Sequence, residues 1–442
     1  MTSPPPEGVR TSANGLGLRL WHRLLSAGVG DVAEFRGWDR VITWRQHATA
    51  RDRMTAVRRA IKLPARAARE ALADVRKFGD ALEEESGVSK PRQAAQLWWL
   101  KVRYGLDASS YLDYRLYRPE RRRRAGDYLQ ERDWFRVMRF YLAAYGPESD
   151  PRMLTDKRRF ERWCGERGFP AVRTVLEVQE GKLHDASGAE VARETVLPLP
   201  PRDLFSKPAD STGGHATRRW TYDGSGGYVG ADGRTFRGGE LLDELVAISN
   251  SLPRTIGRMT KRTLTGRLLL QEQLHNHPNL APVSPGALST TRLVTYRFPR
   301  GEARLLFAAF KMAVGDSPAD NFHFGGLVAP VDLATGRLGK PIQRRRKVIV
   351  NVERHPDTEA LIEGHQLPHW EEAKRLVLQA HNEVKDAPSI GWDVALCEEG
   401  PVLVEGNTSS NPDIAQAPSG VPLGATPFVR SLNAHLRERF GL

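Results

Sequence analysis

The sequence predicts an α+β protein in which a mainly helical N-terminal region precedes antiparallel sheets. From Leu16 to about Tyr145, apolar residues recur every three or four positions. Trp21–Leu24–Leu25, Ala94–Leu97–Trp98 and Trp134–Val137–Met138–Tyr141 each outline one helix face. Beyond Thr155 the pattern changes to alternation and short apolar runs bounded by Gly and Asp turns, which read as strands. The Pro/Ser/Gly composition of residues 1–14 predicts a disordered tail, with the helical region covering 15–150.

Bulk properties bound what the chain can be. Its 442 residues suffice for two or three domains, and 40% hydrophobic with 27% charged residues is the composition of a soluble globular protein. The start, MTSPPPEGVR, has no apolar core of a signal peptide, and no window approaches the 18 apolar residues of a membrane span. Cys164 and Cys397 stand far apart, which suggests two reduced thiols in a cytoplasmic protein. The net charge is +13, and residues 1–150 carry 28 Lys/Arg against 19 Asp/Glu, including the run Arg121–Arg124. Nucleic acid or an anionic membrane surface could bind there. Solvated helix faces in an Arg-rich chain are the simpler expectation, so nucleic acid is not expected, peripheral membrane contact stays open, and oligomeric state is left open.

Taken in order, Pro64, Pro91, Pro119 and Pro147 punctuate the helical region, whose Trp and Tyr stripes read as core. TDKRRFERWCGERGFPAVRT reads as a helix capped by Thr155 or Asp156, begun at Lys157 and stopped by Gly168. Val172–Val178 and Glu190–Leu197 read as strands. Leu204–Phe205 is a short apolar run ending at Lys207, and a Ser-Thr-Gly-Gly loop follows at 211–214. Glycine lets backbone N–H groups approach phosphate oxygens, and a nearby lysine adds charge, although no Gly-Lys-Ser/Thr follows as in a Walker loop. Thr217–Tyr222 and Tyr228–Val229 look like hairpin strands, Gly239–Asn250 a helix, and Leu268–Gln271 a buried strand leading to a polar segment. His275 and His277 there read as loop histidines, since no third metal ligand stands nearby. LSTTRLVTYRF and ARLLFAAFKMA make two more strands, and the 316–326 loop carries Asp320, Asn321 and His323. QRRRK at 343–347 reads as an exposed hairpin edge, and His369–Lys385 as an amphipathic helix. Thr426 and Pro427 start a closing helix, Phe428–Phe440.

The richest stretch is IGWDVALCEEGPVLVEGNTSSN, from Ile390 to Asn411. Two apolar runs flank the polar turn Cys397–Gly400, a hairpin pattern. Glu405 and Asn407 share a face because strand side chains alternate, and folding about Glu399 sets Asp393 across from Glu405. Two carboxylates about 4 Å apart repel by roughly 4 kcal/mol at an effective dielectric near 20, so a cation is needed. Carboxylate and amide oxygens suit Mg²⁺ or Mn²⁺. A solvated hairpin end bearing ordinary acids is the alternative.

In this order, TDKRRF, LFSKPADSTGG, LLLQEQLHNHP, LSTTRLVT, DNFHFGG and IGWDVAL…VLVEGN resemble the ATP-grasp superfamily. Within it they resemble the sugar-transfer-associated ATP-grasp proteins, over roughly Leu97 to Phe440. The resemblance implies an ATP-grasp fold, two α+β subdomains clasping ATP, here dividing 151–442 into 151–275 and 276–442. It implies phosphate contacts from Lys157 and Lys207 and a mobile loop at 211–216 containing Ser211, Thr212, Gly213 and Gly214. His215 and Ala216 follow, where many members carry a further glycine. It implies adenine contacts from Gln271, Glu272 and Leu274, metal ligation by Asp393, Glu405 and Asn407, and a catalytic role for Arg292. The activity implied is ATP- and Mg²⁺-dependent ligation of a small-molecule carboxylate to an amine through an acylphosphate. The family association implies a setting in cell-surface polysaccharide or secondary-metabolite biosynthesis. The chain contains no Ser/His/Asp or Cys/His constellation, which is consistent with phosphoryl transfer driven by positioning and charge neutralisation. A phosphotransferase on the same fold and a nucleotide-binding protein without turnover are the alternatives.

Overall fold

The computed structural model describes residues 30–38, 61–143, 145, 153–154, 156–209, 217–252, 255–256, 262–263, 266–315, 320, 322, 325–408 and 410–440. Thr155, the loop residues Ser211–Gly214, Asn321 and His323 fall outside these. The two-part pattern of the sequence is realised: helices first, then two large antiparallel sheets with helices packed on them, beside a small two-stranded pair, Thr255–Ile256 with Arg262–Thr263.

The helical region contains α1 (Leu63–Ser86), α2 (Lys90–Tyr104) and α3 (Glu131–Ala143); a short turn joins the first two, and the short helices Ala108–Asp113 and Pro119–Arg122 lie between α2 and α3. Proline near the first turn of α1 and α2, and left-handed glycines Gly87 and Gly105 after their last turns, set their ends. Most of the tyrosine and tryptophan stripes turn inward: Tyr111, Tyr114, Tyr128 and Trp134 are buried. Trp98 and Trp99 do not, and stand exposed on α2.

Next comes α4 (Lys157–Glu166), capped by Asp156, whose side chain accepts hydrogen bonds from the N–H groups of Arg158 and Arg159. The first sheet follows. Its centre is formed by β1 (Thr174–Gln179), β2 (Leu204–Pro208) and β3 (Leu268–Glu272), with β3 between the other two. The short strands Lys182–His184 and Glu190–Val191 extend one edge, and Arg218–Tyr222, Gly227–Gly230 and Thr235–Arg237 the other. Its core is covered by α5 (Gly238–Ser251), which contributes Leu241, Leu242, Leu245 and Ile248. The strand expected over Glu190–Leu197 ends at Val191. Arg193–Val196 forms one helical turn instead, because the sheet edge offers no further partner strand.

The second sheet has β4 (Thr290–Tyr296), β5 (Arg304–Met312), β6 (Ser389–Cys397) and β7 (Gly400–Asn407). From one edge its order is Val348–Asn351, Ile342–Arg345, Leu327–Val331, β5, β4, β6, β7. Between β5 and β6 in the chain, α6 (Trp370–Glu383) packs its Trp370, Ala373, Val377 and Ala380 into the core with Leu293, Phe310, Trp392 and Leu403. Phe160, Trp163 and Cys164 of α4 join the same core, so the helix that carries Lys157 is seated on the second sheet. The chain ends with α7 (Asp413–Ser419) and α8 (Pro427–Phe440).

The helical region is welded to this second half. Phe35, Trp134 and Met138 share a core with Phe428, Leu432 and Leu436 of α8. Arg344 pairs with Asp113 at 2.8 Å, so the basic hairpin at 343–347 is an inter-layer contact as well as an edge. Fully buried Gln416 of α7 accepts from the N–H groups of Leu129 and Leu423 at 3.0 Å and donates to Leu129 O at 2.8 Å. Deleting that amide strands the buried N–H groups of Leu129 and Leu423, while Leu129 O keeps its bond from the Tyr114 hydroxyl; each unsatisfied group costs about 1–3 kcal/mol. Gln416→Leu should therefore lower unfolding stability by about 3 kcal/mol, seen as a lower urea midpoint at unchanged slope. A loss below about 1 kcal/mol would show that the joint does not depend on this residue.

Candidate functional site

The site is built on one face of the second sheet. Cross-strand register aligns Ala309 with Arg292, Arg292 with Asp393, and Asp393 with Glu405, a row running across β5, β4, β6 and β7. Asn407, two residues beyond Glu405, lies on the same face opposite Gly391. The pairing of Asp393 with Glu405 depends on a bulge. The turn pairs Cys397 with Gly400, a register that without interruption would bring Val404 opposite Asp393. The register shifts between Asp393 and Val394, so Leu403 pairs with Val394 and Glu405 with Asp393. An extra residue in β7 thereby turns both acids to one face.

Asp393 is buried and paired with two cations. Arg292 holds it in a two-pronged pair, Nε to Oδ1 at 2.8 Å and Nη2 to Oδ2 at 2.9 Å. Lys311, on the same face of β5 as Ala309, approaches Oδ1 at 3.2 Å and Asp320 at 3.6 Å. Asp320 in turn accepts from the N–H and hydroxyl of Thr290, at 2.7 and 2.6 Å. Burial by itself would raise the Asp393 pKa, but Arg292 and Lys311 outweigh it and hold the carboxyl down at about 2. Arg292 also donates to Ser410 Oγ at 2.9 Å, tying the segment after β7 to the row. By contrast, half-buried Glu405 and Asn407 make no side-chain hydrogen bond or ion pair among the described residues. They present open oxygens beside a carboxylate whose position is fixed.

The lysines come from the other side. Lys207 sits on β2 opposite Leu269 and alternates with the buried Leu204, Ser206 and Pro208, so it points away from the core of the first sheet. Its pKa falls to about 8, mostly through burial and then through the neighbouring charge of Lys157. Glu405 and Glu161 oppose the fall, so Lys207 lies within the field of the second sheet's open acid. Lys157 leaves the first turn of α4 and donates to the backbone O of Ala209, the residue after β2, at 3.0 Å. The start of α4 is held by salt bridges that link Arg158 to Glu177, and Arg267 to Glu177 and Asp156.

The segment 271–277 crosses from one sheet to the other. Gln271 ends the buried part of β3, and its amide donates to Thr174 Oγ1 at 3.1 Å. Its Oε1 has no partner among the described residues. Glu272 pairs with Arg202 at 3.2 Å, Leu274 is half-buried, and the N–H of His277 reaches Leu396 O on β6 at 2.8 Å. Gln271 and Leu274 therefore line a connection between the sheets and do not touch the acid row.

Sequence reasoning missed Lys311, Ser410 and Glu161. Lys311 was the detectable one: a single charge inside the apolar strand FAAFKMA must have a partner if the strand is buried. The cavity of about 200 Å³ lined by Asp107, Ser110, Asp113, Glu131 and Asp413 contains none of the predicted residues. Its carboxylates would repel a polyphosphate, and it is smaller than the roughly 300 Å³ minimum of typical ligand pockets.

The family model described as sugar-transfer associated ATP-grasp matches residues 136–425. No curated protein matches the chain. Among solved structures, D-alanine–D-alanine ligase from Bacillus anthracis shares 11% identity over 66% of this chain and 70% of its own, with a TM-score of 0.37. D-alanyl-alanine synthetase A from Vibrio cholerae shares 10% over 70% and 74%, with a TM-score of 0.36. L-amino acid ligase from Bacillus licheniformis shares 11% over 73% and 59%, with a TM-score of 0.34. Because the family model spans well over half of its length, the chain belongs to the sugar-transfer-associated ATP-grasp family.

Proposed function

We propose that the protein is an ATP- and Mg²⁺-dependent ligase that joins a small-molecule carboxylate to an amine through an acylphosphate. The observation that carries this reading is the opposition of charges. Asp393, Glu405 and Asn407 line one sheet, Lys207 on β2 lies within the field of Glu405, and Lys157 at the start of α4 lies beside Lys207. A triphosphate with its divalent ion complements both sides at once. Family membership supports the use of ATP.

The oxygen donors fit a hard divalent cation. Glu405 and Asn407 are open, and Asp393 keeps lone pairs beyond its pair with Arg292. When bound, such an ion would neutralise phosphate charge at the transferring group. Lys207 and Lys157 bind and orient the phosphates, with residues 211–216 covering them. The 271–274 segment receives the adenine, beside the buried Oε1 of Gln271, which has no partner among the described residues. Arg292, fixed by Asp393, stabilises charge on the transferring phosphoryl group or on the acyl oxygen.

In the reaction, a substrate carboxylate oxygen attacks the γ-phosphorus. The bond to the β–γ bridging oxygen breaks, ADP leaves, and an acylphosphate forms. An amine nitrogen then attacks the acyl carbon, inorganic phosphate departs, and the amine loses a proton to give the amide. The family description supports a cell-surface polysaccharide or related biosynthetic setting. Screening ADP release with pooled amino acids, sugar acids and amines, followed by mass analysis, tests the reading. An amide with free phosphate is expected, whereas a stable phosphoester without free phosphate would identify a phosphotransferase.

Glu405→Gln should retain the fold, lower Mg²⁺-dependent ADP release at least about a hundredfold, and weaken binding of the Mg²⁺–nucleotide measured directly. Wild-type binding and turnover in this variant would remove Glu405 from the metal set.

Lys207 gives a pH signature. Its ammonium is the phosphate-binding form, and with a free-protein pKa of about 8 it is mostly charged at neutral pH. Above that value binding must first recover a proton, so ATP affinity should fall by up to about tenfold per pH unit. Lys207→Arg keeps its charge throughout and should flatten the profile, and Lys207→Ala should weaken affinity at all pH values. An unchanged profile in Lys207→Arg would assign the dependence to another group.

A further inference from the structure

Among the described aromatics of the helical region, Trp98, Trp99 and Phe135 stand exposed, and the two tryptophans, 40% and 39% exposed, are adjacent. They are consecutive on α2, whose buried side is formed by Gln93, Gln96, Leu97 and Leu100. Each ring is held in place. Trp98 Nε1 donates to Pro64 O near the start of α1 at 3.1 Å. Trp99 packs edge-on against Tyr104, with ring centroids 5.3 Å apart and planes at 82°. The guanidinium of Arg103 lies 5.3 Å from the centre of the Tyr104 ring. Tyr104 packs so closely on Gly126 that an added Cβ would come within 3.0 Å, which brings the Arg123–Arg124 turn beside the same cluster.

The charges around the rings are predominantly positive. Arg92, Arg103, Arg123 and Arg124 are exposed, and Lys101 borders the same helix. Two acids nearby are paired within the patch, Glu70 with Lys101 and Asp127 with Arg124, which leaves Arg92, Arg103 and Arg123 as its net positive charge. The first 150 residues hold 28 of the basic residues against 19 acids.

We propose that this face of α2 is a docking surface for an anionic lipid bilayer. Indole rings are favoured at the boundary between headgroups and acyl chains, where an apolar body and a polar N–H are both accommodated. Arginines around them are drawn to anionic headgroups within a Debye length. Single-stranded nucleic acid also combines basic and aromatic contacts, but it needs ring faces open as stacking platforms. Trp99 and Tyr104 meet nearly perpendicular, and Arg103 covers the tyrosine, so the cluster is a wedge and not a platform. No helix among the described residues is long and apolar enough to cross a membrane, so the contact is peripheral.

The test uses the full chain with vesicles of phosphatidylcholine alone or with about a third phosphatidylglycerol. The protein should sediment with the anionic vesicles at about 0.1 M salt, be released toward about 1 M, and ignore the neutral ones. Trp98→Ser with Trp99→Ser should reduce partitioning at least about tenfold. Arg103→Glu with Arg123→Glu and Arg124→Glu should reduce it at least about a hundredfold, since each basic side chain contributes about fivefold. Both variants should keep wild-type melting temperature and nucleotide affinity, which separates lost docking from lost fold. The proposal fails if the wild type stays in the supernatant with anionic vesicles, or if both variants bind as it does. Displacement from vesicles by an equal charge of oligonucleotide, with loss of the Trp98 and Trp99 emission, would assign the surface to nucleic acid and overturn the proposal.

Discussion

A buried carboxylate clamped between two cations organises the second sheet. Asp393 has lost its water, and Arg292 and Lys311 restore its neutralisation through three short contacts. Such a group is tolerated only while every partner stays in place, because an unpaired buried charge costs several kcal/mol. The partners come from separate strands: Arg292 from β4 and Lys311 from β5, with Asp320 and Ser410 completing the network from the segments beyond. The ion pairs therefore fix side-chain positions across the whole face. Glu405 and Asn407, one strand further out, are left with open oxygens against this rigid background.

The complementary charges belong to a different layer. Lys207 is carried by the first sheet, and Lys157 by a helix that packs on the second while donating to Ala209 O just beyond β2. Burial first, and then the charge of Lys157, depresses the pKa of Lys207, so its ammonium is held at a cost in the free protein. An arrangement of this kind stores electrostatic work that a bound polyanion releases. It also explains why α4 is braced so heavily, by the Asp156 cap and by the salt-bridge chain through Arg158, Glu177 and Arg267.

The helical region is continuous with this machinery. Tyr114 reaches Asp413, Gln416 satisfies both backbone groups of Leu129, and Tyr128 donates to Gly420 O. Because α7 begins six residues after Asn407, these bonds anchor the segment that leaves the acid row. The same region turns Trp98 and Trp99 outward on its far helix. One layer thus supports the sheet from behind and offers a basic aromatic surface to something else.

By itself the sequence determined the α+β class, the hairpin around Glu399, the capped start of α4 and the strand that carries Lys207. These are local properties: period, turn chemistry and caps act over a few residues. It also brought Asp393 and Glu405 together on a simple fold-back argument, which the structure satisfies only because a bulge corrects the register by one residue. Tertiary structure decided the rest. Lys311 became a partner of Asp393 through strand pairing between residues far apart in sequence, and the strand expected over Glu190–Leu197 was cut short by the sheet edge. It also decided which tryptophans are core. Helical spacing marks a stripe, but whether that stripe is buried depends on whether another layer is there to cover it.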